Sequence, residues 1–167
     1  MLLESNVYGL ALIVRGHYEA TAVLGYVCNR LVSLKAGNIP FEDFALNVAV
    51  AVLGARHEQF AKAPNPPNIM TCIERADRYL DAHWFKKKTG MLLDNYNWLS
   101  EFAHPNFLSN ASAYTPDIPN RRFVFRHEGD IQESDFQLIT YLDISAGVFA
   151  QLFDDYLRLL TENGLTQ

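Results

Sequence analysis

Between Ser5 and Asn29 the chain is almost wholly apolar or small, and Arg15 and Glu19 are the only formal charges in that stretch. A helix that is apolar on every side belongs in the interior of a bundle. The two charges lie four residues apart and so share one helical face, where burial requires charges to be paired. The pattern predicts a first helix over 2–33, ended by Ala36-Gly37-Asn38-Ile39-Pro40. Glycine just past the last periodic residue, with proline beyond it, is a stop signal.

A second helix is expected to open on Phe41-Glu42-Asp43 and to carry Phe44, Val48, Val52 and Ala55 at helical spacing up to Pro64. Pro64-Asn65-Pro66-Pro67 is a rigid link. A third helix over 69–88 has an apolar stripe of Ile69, Cys72, Ile73, Ala76 and Leu80. Glu74, Arg75, Asp77, Arg78 and Asp81 are expected to face outward, and Lys86-Lys87-Lys88 to end the helix where cations suit its dipole. Gly90 is the stop. A fourth helix, 92–104, terminates at Pro105, and a long irregular loop spans 106–120. Residues 121–126 alternate enough for a short strand or extended arm. The last helix, 133–162, places Phe136, Ile139, Leu142, Ala146, Phe149, Phe153, Tyr156 and Leu160 on one stripe, with Asn163-Gly164 as its cap. The expected fold is all-α: an up-and-down bundle of four to five helices in one domain over 1–167, with one long loop before the last helix.

Composition narrows the function classes. A net charge of −5 argues against a surface dominated by nucleic-acid binding, although a local basic patch leaves nucleic acid open. Glu4 stands where a signal peptide would be basic, and the apolar runs flanking Arg15 and Glu19 are each too short for a bilayer, so a cytoplasmic protein with no membrane partner is expected. Cys28 and Cys72 have no metal-type spacing and read as reduced core thiols. No phosphate-binding glycine loop and no Gly-x-Ser-x-Gly turn occurs, and no cofactor is implied.

The candidate chemistry lies in a polar cluster. On the fourth helix Tyr96, Leu99 and Ala103 face inward, which puts Ser100 and His104 on or beside the buried stripe. His104 sits at a helix C-terminus, where the dipole suits a cation, and at the mouth of the long loop. Arg15, Glu19, Ser100 and His104 therefore form the candidate catalytic cluster, with Asn97, Asn106, Arg121, Arg122 and Arg126 as candidate binding residues. Glu101 and His104 make a single Glu-x-x-His, to which His17 and Glu19 would add ligands, but a di-iron bundle needs a second such pair. No metal site is assigned.

Arg-x-x-x-Glu on an apolar first helix, followed by Tyr96-x-x-Leu99-Ser100-x-x-x-His104-Pro105-Asn106, resembles a group of uncharacterised bacterial all-helical proteins related loosely to the HEPN superfamily of defence and toxin proteins. That resemblance implies a dimer and a metal-independent ribonuclease built on an Arg-x(4–6)-His motif. Asn97 stands where the motif has its arginine, so Arg15 would supply the cation from another helix. Three readings follow. The first is a non-enzymatic binding or regulatory module whose polar cluster fixes helix register. The second is a HEPN-like ribonuclease, with His104 as general acid or base, Arg15 stabilising the phosphorane, and Lys86–Lys88 or Arg121, Arg122 and Arg126 holding the RNA backbone. The third is a metal-binding bundle. A symmetric homodimer is the expected assembly.

Overall fold

The computed structural model describes residues 7–104, 114–125 and 133–166. The fold is all-α, as expected: five α-helices and one two-stranded hairpin among the described residues, with the loop before the last helix. The helices are α1 (Val7–Lys35), α2 (Phe41–Leu53), α3 (Ile69–Leu80), α4 (Met91–Ala103) and α5 (Glu133–Glu162). A 3₁₀ turn (Glu58–Phe60) follows α2, and a π turn (Asp81–Phe85) continues α3.

Two compact units are distinguished, Met1–Tyr18 with Asp94–Ala146, and Glu19–Leu93 with Gly147–Gln167. The first contains the start of α1, most of α4, the hairpin and the first half of α5. Its core is built from Ala11, Val14, Tyr18, Leu99 and Leu138. The second contains the remainder of α1, α2, α3 and the second half of α5, around Cys28, Leu31, Ile73, Leu80, Leu152 and Leu159. Within it α1 and α3 cross closely: a Cβ on Gly25 would lie 2.6 Å from Cβ of Ala76.

Both long helices carry a series of buried residues at alternating spacings of three and four, the spacing of one helical face. In α1 the series is Val7, Ala11, Val14, Tyr18, Thr21, Gly25 and Cys28. Tyr8, Leu12 and Ile13 fall between these positions and are exposed, so the first half of the helix is not buried on every side, whereas Ala22, Tyr26, Val27 and Leu31 are buried as well and the second half is enclosed on most sides. In α5 the series runs through buried Asp135, Leu138, Ser145, Leu152 and Leu159, with half-buried Leu142, Phe149 and Tyr156 completing it, and Asp155 is buried beside it. Leu142, Phe149 and Tyr156 of the expected stripe belong to this series, whereas Phe136, Ala146 and Phe153 lie one position past it. These three face out, while Leu138, Leu152 and Leu159 take the core side of the helix.

Helix ends follow glycine chemistry. Gly37 (φ 70°) and Gly164 (φ 68°) close α1 and α5 in paired turns, with Gly37 N–H donating to Leu34 O and Asn38 N–H to Ser33 O, and Gly164 and Leu165 repeating the pattern on Thr161 and Leu160. Other boundaries depart from expectation. α2 stops at Leu53, ten residues short of the proline link, since Gly54 is extended and a Cβ there would meet Val50 O and the Pro66 backbone. α3 ends in the π turn, and Lys86 rather than Gly90 takes the first left-handed position (φ 55°). Asp77, expected to face water, is buried and accepts from the backbone N–H groups of Leu92 (2.9 Å) and Leu93 (3.1 Å), so α3 supplies the N-terminal cap of α4.

The expected loop over 106–120 is strand in its last part. β1 (Tyr114–Asp117) pairs antiparallel with β2 (Arg122–Phe125), with Asp117 opposite Arg122; the rest of that loop, 106–113, lies outside the described residues. By length and composition α5 is the one helix among the described residues long and apolar enough to cross a membrane, because Asp143 is the only formal charge between Phe136 and Phe153.

Candidate functional site

Inside the first unit, Arg15 is half-buried and turned toward α4. Its Nη2 donates to the Tyr96 hydroxyl at 2.6 Å and its Nε donates to Ser100 Oγ at 3.3 Å. The guanidinium also lies over the Tyr96 ring, 5.0 Å from the centroid. Ser100 Oγ in turn donates to the Tyr96 carbonyl at 2.8 Å, so it both completes a turn of α4 and receives the arginine. Tyr96 and Ser100 are one helical turn apart, which is why one planar guanidinium reaches both.

Two further polar pairs flank this contact. His17 Nδ1 and Ser145 Oγ share a hydrogen bond of 2.7 Å between α1 and α5. Asn95 Nδ2 donates to the Tyr18 hydroxyl at 3.1 Å. Burial raises the Tyr18 pKa to about 12 in spite of that donation, so the phenol is neutral at any physiological pH. The result is a polar seam that draws on more than one side of α1 and ties it to α4 and α5 within this unit.

Of the expected cluster, Arg15 and Ser100 come together. His104, just past α4, is exposed, and no described hydrogen bond joins it to Arg15. Glu19 is half-buried one turn further along α1, in the second unit. Asn97 is on the outer face of α4. Arg121 takes a left-handed conformation (φ 51°) in the hairpin turn, and Arg122 Nε donates to Asp117 at 2.9 Å. Hydrogen bonds from Asn120 and then Arg122 hold the Asp117 carboxyl below the ordinary range, so the Arg122 charge is engaged within the hairpin. Asn106 and Arg126 lie outside the described residues. No three His, Cys, Asp or Glu side chains gather as a metal site among the described residues.

The sequence reading did not assign the Tyr96 hydroxyl, His17 or Ser145 to the cluster. Ser145 carried a usable signal: a serine on the three-four seam of α5, between Leu138 and Leu152, must find a partner where it is buried.

A second polar centre, on α5 in the other unit, was not anticipated. Asp155 Oδ2 accepts from the Tyr79 hydroxyl (2.8 Å) and Trp84 Nε1 (2.9 Å), and Oδ1 accepts from Arg158 Nη2 (2.8 Å). Burial raises the carboxyl pKa, but hydrogen bonds from Arg158, Trp84 and Tyr79 outweigh it, and the net shift is downward. The His83 ring stacks on Tyr79 at 4.5 Å. Cys28 and Cys72 are buried free thiols, raised by burial to about 12 and about 11, and so are not poised as nucleophiles.

No family model, curated protein or solved structure matches the chain.

Proposed function

We propose that the chain is a non-enzymatic helical binding or regulatory module of the cytoplasm that acts as a homodimer, with the Arg15 cluster serving as an internal brace. The observation that carries this reading is the outward face of α2. Phe41, Leu46, Val52 and Leu53 are each more than half exposed there, and Phe60 in the following 3₁₀ turn is too. By helical spacing Phe41, Ala45, Ala49 and Val52 form one row and Leu46 with Leu53 a second beside it, with Glu42 the only charge on that face. Apolar patches rimmed by polar residues mark association surfaces. A second copy is the simplest occupant, because the same patch on both subunits is self-complementary about a two-fold axis.

The brace role rests on Arg15, whose guanidinium is directed into Tyr96 and Ser100 of its own unit while His104 faces solvent. In the HEPN-like reading, His104 would move a proton beside a free arginine. Incubation with structured and single-stranded RNA separates the two. The module reading expects no cleavage that disappears in His104→Ala. RNA cleavage abolished by His104→Ala, with the helical circular-dichroism spectrum unchanged, would establish the ribonuclease instead.

A further inference from the structure

Four cations gather at one place in the second unit. Arg78, Asp81, Ala82, Lys86, Lys87 and Lys88 line an open depression of about 660 Å³. Arg78 and Ala82 are i, i+4 and share a face of the helical segment, and the chain then turns back so that the lysines border the same hollow. We propose that this depression binds the phosphate chain of a small polyphosphorylated molecule.

The turn that carries the lysines is held at both ends. Asp81 Oδ1 accepts from the Thr89 N–H (2.9 Å) and from Thr89 Oγ1 (2.7 Å), closing the segment between them. The one carboxylate of the hollow is therefore engaged by neutral donors rather than by the lysines. Lys86, in a left-handed conformation, donates from Nζ to Ala82 O at 3.0 Å across the turn. None of the four cations forms an ion pair among the described residues. Their field already reaches the adjacent ring, since burial and then the Lys86 charge lower the His83 pKa.

Four unpaired cations facing one hydrogen-bonded carboxylate is a large local excess on a chain of net charge −5. Such an excess concentrates anions, and it suits one that presents several charges in a row. Arginine adds a planar fork for two phosphate oxygens, while the lysines act as mobile point charges. A di- or triphosphate chain meets these requirements, whether it is free or part of a nucleotide.

Titration calorimetry on the full chain at low salt, with inorganic triphosphate as the probe, tests the assignment. One triphosphate per chain is expected. Affinity should fall by roughly tenfold or more in Arg78→Ala and in Lys87→Ala/Lys88→Ala, since charge-assisted contacts are lost, and should be unchanged in Lys62→Ala. Equal affinity for a nucleoside triphosphate would place recognition in the phosphates alone, and tighter binding would add a base contact; both uphold the site. Absence of binding at millimolar triphosphate overturns it. So does equal binding by the double lysine variant, or binding confined to a single-stranded RNA oligomer.

Discussion

Asp155 shows how one carboxylate organises the second unit. Three donors from three places, Tyr79, Trp84 and Arg158, converge on it, and it is 9% exposed. Its pKa in the folded state lies below the ordinary value, so the unfolded chain binds the proton more readily. The stabilisation is complete above the unfolded carboxylate value of about 3.9 and is lost as the pH falls through the folded one. Asp155→Ala leaves the buried Tyr79 hydroxyl and the half-buried Trp84 N–H without this acceptor and should cost about 1–3 kcal/mol at neutral pH. Urea denaturation at several pH values checks this: the variant's stability should fall less on acidification than the wild type's. Nothing in the local pattern of α5 marks Asp155 out from the other acids of the helix. Its role follows from partners 71 and 76 positions away, a separation no local pattern encodes.

At the scale of elements, what could be read in the sequence was local chemistry, and what could not was contact. The ends of α1 and α5 at Gly37 and Gly164 were legible because a left-handed position selects glycine whatever surrounds it. The end of α2 was not, since Gly54 is chosen by the approach of Pro66. Asp77 sits among outward polar residues in sequence, yet it caps the N-terminus of α4. Part of the α5 stripe was misjudged because the helix is apolar on two faces, and hydrophobicity alone does not say which one the core takes. In the candidate site, Arg15 and Ser100 were legible from spacing, whereas Tyr96 had been counted as core for its ring alone. Gly25 marks a close approach between two helices. Gly25→Val should destabilise the protein by roughly 1–3 kcal/mol or more, since Ala76 stands in the way. Gly147→Ala, in the same kind of helix interior with nothing within 4 Å of the new methyl, should be neutral or stabilising by up to about 1 kcal/mol. Thermal denaturation of the two variants side by side would show whether packing or helix propensity governs these glycines.

For the molecule as a whole, the polar cluster around Arg15 is occupied by its own unit, while large apolar side chains stand outward on α2. Such a surface is stable in water when another surface covers it. Sedimentation equilibrium of the full chain tests this most directly. The wild type should sediment at twice the 19.0 kDa chain mass, and Leu46→Glu/Leu53→Glu should sediment at the single-chain mass with an unchanged helical spectrum. A wild type that is monomeric at every concentration, or a dimer that survives both glutamates, would contradict the account.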